Sequence, residues 1–273
     1  MSAMAPTVTV ASANLHGGID AWGRPFDALD ALIALRAEVY CLQECWSDEG
    51  DAPFASHLAS ALDAQWRDVP LATGRRAQPH DNPPATWHRR KSFFDGDHGL
   101  YLESERALAK NLAASPRYVA GDPGTFSLAL LSRHEIIRHE VVYLDKLRRD
   151  RVRRALLIVE LNVDGQALTV ISTHMAHLTH GAPRHFAQLR KVIRSRRDQP
   201  LVLGGDMNMW GPGVRAQLPQ LRRAVKAKTW PSWGPHSQLD HLLISRDLDV
   251  IDAYVSGNVG SDHLPVMAVL ELP

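Results

Sequence analysis

The chain has 273 residues, with 31 Lys and Arg against 30 Asp and Glu, 45% hydrophobic and 22% charged residues. A high apolar fraction at near-zero net charge excludes disorder as the dominant state, and no run approaches the roughly 20 uninterrupted apolar residues of a bilayer span. The same charge balance removes the positive field that avid, non-specific binding to nucleic-acid phosphates needs.

The length is near the upper limit for one hydrophobic core and predicts a single domain over 1–273. Met1 to Pro6 shows no basic region followed by a small-residue cleavage site, which predicts an unprocessed cytoplasmic protein. Thr7 to Asn14 alternates and is rich in β-branched residues, so it reads as a strand closing on the turn Asn14-Leu15-His16-Gly17-Gly18. Phe26 to Ala37 repeats apolar residues at helical spacing, with Pro25 near its first turn. A second strand, Val39 to Gln43, ends at Glu44. Cys41 and Cys45 lie in this extended segment about 13 Å apart, too far for a disulfide.

A helix is expected from about Ala52 to Leu62, after which a Pro-, His- and Arg-rich tract follows. Residues 74–122 read as an irregular insertion, either substrate-facing or a variable surface excursion. Strands return at Phe126 to Ser132 and Ile136 to Tyr143. Ala155 to Val163 and Ala167 to Thr173 flank Asp164-Gly165, a turn signal that demands an antiparallel hairpin. Arg184 to Arg197 is an amphipathic helix, Leu201 to Leu203 a buried strand ending at Gly204-Gly205-Asp206, and Val214 to Lys226 a second helical stretch. Leu239 to Ile244, Leu248 to Val255 and Pro265 to Leu272 close the chain as strands. About ten strands overfill one twisted sheet of common size, so two packed sheets covered by helices fit better.

Polar residues recur where strands end: Asn14, Glu44, His174, Asp206 with Asn208, Asp240, and Asp262 with His263. Strand ends are where a rigid scaffold meets solvent. The set is rich in carboxylates and carboxamides, which suit a hard divalent cation held by a few oxygens, with two histidines for proton or charge management. Clustered cysteine and histidine would point to zinc instead. His177, His180 and His185 follow His174 and could form a second metal site or face solvent; Trp210, Trp230 and Trp233 could stack a substrate or pack at a rim. The basic runs Arg194 to Arg197 and Arg222 to Lys228 read as solvated helix faces, whereas Arg153 and Arg154 precede a strand at the edge of the set and could hold substrate phosphate.

The ordered series Asn14, Gln43-Glu44, Leu131-Ser132-Arg133, Ser172-Thr173-His174, Gly205-Asp206-Met207-Asn208, Leu239-Asp240-His241 and Ser261-Asp262-His263-Leu264-Pro265 resembles the endonuclease/exonuclease/phosphatase superfamily. The resemblance implies an α+β fold: a four-layer α/β/β/α sandwich of two packed, mixed and largely antiparallel sheets with outer helices. It implies hydrolysis of phosphate esters with Mg²⁺ or Mn²⁺. Glu44 then corresponds to the principal metal ligand, with Asn14 beside it and Asp262 an outer ligand. Asp206 corresponds to the carboxylate that orients or deprotonates water, Asn208 to its neighbour on water or phosphoryl oxygen, His263 to the histidine facing the phosphate, Asp240 to the carboxylate behind it and His174 to the second histidine.

The chain departs from the deoxyribonucleases in lacking an obvious acid to partner His174, for which Glu103 and Glu105 are candidates. The preferred expectation is a phosphodiesterase or nuclease acting on nucleic acid or nucleotide. The alternatives are a hydrolase of phospholipid or inositol-phosphate headgroups on the same fold and a catalytically silent binding module. No transmembrane segment and no obligate protein partner are expected.

Overall fold

The computed structural model describes residues 5–21, 23–76, 100–102, 122–148, 150 and 152–273. Among these, thirteen strands form two sheets. The first has seven strands in the order β12-β13-β1-β2-β5-β3-β4. They are β1 (Thr7–Asn14), β2 (Val39–Asp48), β3 (Gln65–Arg76), β4 (Leu100–Leu102), β5 (Asp122–Ser132), β12 (Asp249–Val255) and β13 (Val266–Glu271). The second has six in the order β10-β11-β9-β8-β7-β6. These are β6 (Glu135–Tyr143), β7 (Ala155–Val163), β8 (Gln166–His174), β9 (Leu201–Asp206), β10 (Arg222–Arg223) and β11 (Asp240–Ile244). Only β1 with β2 and β8 with β9 run parallel among the described pairs, so both sheets are mixed and mostly antiparallel.

Alternation decides the layers. Val8 and Val10 of β1, Leu128 and Leu130 of β5, Leu157 and Val159 of β7, Val170 of β8 and Leu242 of β11 project between the sheets into one apolar core. On the outer face of the first sheet, Ala11, Tyr40, Leu42 and Leu131 meet Leu32 of α1 (Ala28–Leu35) and Leu58 of α2 (Phe54–Leu62). The second sheet's outer face packs Ile158, Ile171 and Leu203 on Phe186 and Leu189 of α3 (Ala182–Arg194) and Val214 of α4 (Gly211–Gln217). The result is the four-layer α/β/β/α sandwich.

Two close approaches lock the layers. Cβ at Gly204 of β9 would lie 2.8 Å from Cys41 Sγ across the sheet interface, so only glycine lets the sheets meet there. Ser172 of β8 donates its hydroxyl to the Ala129 carbonyl of β5 at 3.1 Å, satisfying a buried hydroxyl across the same interface. Cys41 and Cys45 are both buried free thiols.

Three expectations change. The loosened tract after Leu62 contains β3, which pairs with β5 from Gln65 to Arg76, and 100–102 forms β4 against it, so 74–122 is not wholly irregular; its remaining residues up to 121 lie outside those described. The helix expected over Val214 to Lys226 runs only from Gly211 to Gln217, because Pro219 cannot continue it. Arg222 and Arg223 then pair with β11 as a short strand, so this basic run is not a helix face.

Candidate active site

Register builds half of the site. His174 and Asp206 are the last residues of neighbouring parallel strands and lie directly opposite each other. Asp240 opens β11 directly opposite Asp206 on its other side. The ladders of β8, β9 and β11 therefore deliver three buried polar side chains to one point without any distortion. Gly205 permits this spacing, since a Cβ there would sit 2.0 Å from the Thr173 carbonyl oxygen of β8.

Glu44 arrives differently. The sequence suggests that its strand stops there, but β2 continues to Asp48 and Glu44 lies in a bulge, with the pairing to β5 shifted between Leu42 and Cys45. Its φ is +55°, a left-handed conformation that costs a non-glycine residue roughly 1 kcal/mol. A bulge re-aims a side chain that plain alternation would send elsewhere. Asn14, closing β1, donates Nδ2 to Glu44 Oε1 at 3.2 Å and to Asp206 Oδ2 at 3.1 Å, so one carboxamide bridges carboxylates of the two sheets. Its Oδ1 accepts the His16 backbone N–H.

Asp206 Oδ2 is the hub. Asn14 Nδ2 is 3.1 Å away, His174 Nε2 3.5 Å and His263 Nε2 4.0 Å. Burial pushes the Asp206 carboxyl up to about 7; the His263 charge and the Asn208 N–H oppose this, while Asp240 and Glu44 add to it. His263 moves oppositely to what burial alone would do. Burial disfavours its charge, but Asp240, Asp262 and Asp206 outweigh that and raise it well above the ordinary imidazole range. Its Nδ1 donates to Asp240 Oδ2 at 2.9 Å, which leaves Nε2 facing Asp206. Asp240 is itself held by the Thr229 hydroxyl, which accepts its backbone N–H.

His174 is the contrasting histidine. Burial, then the charges of Arg154 and His263, hold it well below the ordinary range, so it is neutral. Asn208 Nδ2 donates to the Met175 carbonyl at 3.0 Å and lies 3.2 Å from His174 Nε2, which makes Nε2 the acceptor and leaves the proton on Nδ1. That nitrogen faces Glu44 Oε1 at 3.7 Å. His174 thus has a carboxylate at each ring nitrogen, Glu44 at Nδ1 and Asp206 3.5 Å from Nε2, while Glu103 and Glu105 lie outside the described residues.

Asp262 lies at the edge of this hub, close enough for its charge to raise His263. It accepts Trp230 Nε1 at 3.3 Å and lies 3.8 Å from His16 Nδ1. The buried His16, missed in the sequence, joins the β1 turn to this loop; its position two residues after Asn14 and before a glycine pair was the available signal. Because β7 runs antiparallel to β8, Arg153 and Arg154 sit at the His174 end of the sheet. Arg153 is exposed and stacks on Tyr143, 4.2 Å from the ring centre. Arg154 is buried against Asp150 at 2.8 Å, and its Nη1 has no hydrogen-bond partner. Trp230 lies 6.4 Å from His263, whereas Trp210, two residues beyond Asn208, is exposed. His185 turns inward and donates Nε2 to the Asp145 carbonyl, away from His177 and His180, which contact each other.

The donor set fits a hard divalent cation. Glu44, Asp206 and Asp240 gather three carboxylates where little solvent reaches, and Asp240 Oδ1 lacks a hydrogen-bond partner. Asp206, Asp240 and His263 place ligand-type atoms within 4.8 Å of one another. His263 keeps its proton and is a poor ligand, so the available donors are oxygens, as Mg²⁺ and Mn²⁺ prefer.

Residues 11–263 match the model of the Endonuclease/Exonuclease/phosphatase family. No curated protein matches the sequence. Solved structures share the fold at low identity. An endonuclease/exonuclease/phosphatase from Beutenbergia cavernae is 20% identical with a TM-score of 0.61, covering 98% of this chain and 72% of its own. The human Nocturnin catalytic domain, solved with a bound sulfate anion, is 18% identical with a TM-score of 0.62, covering 98% and 94%. Truncated Caenorhabditis elegans TDP2 is 16% identical with a TM-score of 0.57, covering 97% of each chain. With a match extending from β1 to His263, this chain belongs to the endonuclease/exonuclease/phosphatase family of hydrolases.

Proposed function

We propose that this protein is a Mg²⁺- or Mn²⁺-dependent phosphodiesterase that cleaves a nucleotide or nucleic-acid ester by in-line attack of water. The observation that carries the reading is the approach of Asp206 and His263 to 4.0 Å, where burial brings the carboxyl up to about 7 while the surrounding carboxylates keep the imidazole protonated. A base poised near neutral pH beside a charged hydrogen-bond donor supplies the two roles that in-line hydrolysis of a phosphate ester needs.

Asp206 Oδ2 takes the proton of the attacking water, for which a base poised near neutral pH is suited. Oxygen–phosphorus bond formation loads negative charge onto the equatorial oxygens, and His263 Nε2–H donates to one of them while Asp240 holds the ring in place. Asn208 orients the ring of His174, which its burial keeps neutral, so His174 Nδ1–H is a second donor in the cleft. The buried Nη1 of Arg154 and the exposed Arg153 give phosphate oxygens further donors at the His174 end. The leaving ester oxygen takes its proton from solvent. Glu44 would hold the metal with Asn14 beside it and Asp262 as an outer ligand, and the ion supplies Lewis-acid stabilisation of phosphoryl charge.

Purified protein with Mg²⁺ or Mn²⁺ should hydrolyse bis(4-nitrophenyl) phosphate, and Glu44→Ala or His263→Ala should each lower the rate on the order of 100-fold or more with an unchanged circular dichroism spectrum. Activity surviving both changes overturns the assignment. A panel of single- and double-stranded DNA, RNA, sphingomyelin, inositol phosphates and phosphomonoesters then separates the nucleotide reading from headgroup hydrolysis.

A further inference from the structure

Beside the site lies a cavity of about 230 Å³ that the chemistry above does not use. Its walls come from the segments that carry site residues. Leu15, Gly17 and Gly18 directly follow Asn14, and Trp46 stands two residues beyond Glu44. Phe26 packs so closely on Gly260, two residues before Asp262, that a Cβ there would meet its ring at 2.3 Å. Whatever fills the cavity is therefore flanked by three of the segments that shape the reaction centre.

The walls are also immobilised. Asp48 Oδ1 accepts Trp46 Nε1 at 2.8 Å, and both Asp48 oxygens accept Arg76 Nη2, at 2.7 and 2.9 Å. The Arg76 guanidinium carbon lies 5.6 Å from the centre of the Trp46 ring, and this side chain borders the cavity. The cavity thus combines two aromatic side chains held by their surroundings, an apolar floor that includes Leu29, and a guanidinium whose countercharge is already supplied. A flat π-system satisfies all of these at once, through stacking and cation–π contact, whereas an alkyl chain leaves the guanidinium unused.

We infer that this cavity is a substrate subsite for a planar aromatic group, a nucleobase or an aryl ester, attached to the phosphate that the Asp206–His263 centre attacks. The inference rests on the phosphodiesterase reading and narrows it to aromatic-bearing diesters. Stacking of one base on protein aromatics changes affinity about tenfold or more.

The test compares 4-nitrophenyl esters of thymidine 5′-phosphate, phenyl phosphate and methyl phosphate, all releasing the same phenolate. The wild-type protein should favour an aromatic ester over the methyl ester by about tenfold in kcat/KM. Leu29→Trp, which fills the cavity from α1, should bring that ratio close to one, and Phe26→Ala should lower it in the same direction. Thymidine above phenyl identifies a nucleobase subsite, and phenyl above thymidine an aryl one. A wild-type ratio near one, or a ratio unmoved by Leu29→Trp, overturns the inference.

If no ester is turned over, the hydrolase reading fails separately, and calorimetry with thymidine 5′-monophosphate decides the cavity. Binding weakened about tenfold by Leu29→Trp supports the subsite; no binding, or equal binding, overturns it.

Discussion

The two sheets deliver their halves of the site by opposite means. In the second sheet, His174, Asp206 and Asp240 are placed by regular register between β8, β9 and β11, with a glycine at 205 where the strands crowd. In the first sheet, Glu44 reaches the same cleft through a bulge and a left-handed backbone. Ladder-placed groups lie where the fold already puts them, so their positions follow from stability. The bulged carboxylate is held against a conformational cost, a pattern that accompanies function more often than packing. On the proposed reading, proton transfer falls to the rigid second-sheet half and the metal grip to the first-sheet half.

The largest expected effect separates those roles. Asp206→Asn removes the base while leaving an oxygen able to accept the Asn208 N–H, and kcat should fall by roughly 10²- to 10⁴-fold at every Mg²⁺ concentration. Glu44→Gln should instead weaken metal binding, so that raising Mg²⁺ recovers much of the lost rate. Metal titrations of both variants decide the matter, and rescue of Asp206→Asn by metal, with none for Glu44→Gln, reverses the assignment.

The second effect is on stability and has opposite signs in the two halves. Gly205→Ala drives a methyl group to within 2.0 Å of the Thr173 carbonyl oxygen, which should cost about 3 kcal/mol and loosen the His174–Asp206 pairing. Glu44→Gly relieves the φ of +55° and should stabilise the fold by about 1 kcal/mol while abolishing activity. Urea midpoints of the two variants measure both. A Glu44→Gly protein less stable than wild type would mean that the bulge is a packing feature and not a held functional strain.

How much of this was legible in the sequence follows the same division. The ends of β1 and β7 fall where alternation and turn residues put them, and the polar residues closing β8 and β9 are readable as site candidates because register carries a strand end directly into the cleft. The bulge at Glu44 was not legible, since nothing local marks it; it is fixed by pairing with β5, some eighty residues away. For the same reason the approach of Glu44 to His174 is hidden in the sequence, where Glu103 and Glu105 are no less plausible partners. β3 was missed because Asp68 and Pro70 break the apolar pattern. There the ladder itself shifts between Pro70 and Ala72, as expected for a residue without an N–H donor.

The smallest expected effect uses the thiols, which lie only on β2, the strand that carries the bulge. Burial pushes the Cys41 thiol from 9.0 up to about 12, and Cys45 also moves well up, again chiefly through burial. A raised folded-state value means that the unfolded chain releases its proton first as pH rises. The contribution of Cys41 is therefore intact below about pH 9 and declines between 9 and 12, reaching about 1.4 kcal/mol of lost stability by pH 10. Native protein at pH 8 should leave both thiols unreactive toward a disulfide reagent, and both should react once it unfolds. Cys41→Ala should flatten the fall in stability between pH 8 and 10 by about that amount. An unchanged slope, or fast labelling of native Cys41, would show that β2 opens at the sheet interface, and the bulge at Glu44 would then be a mobile segment and not a fixed one.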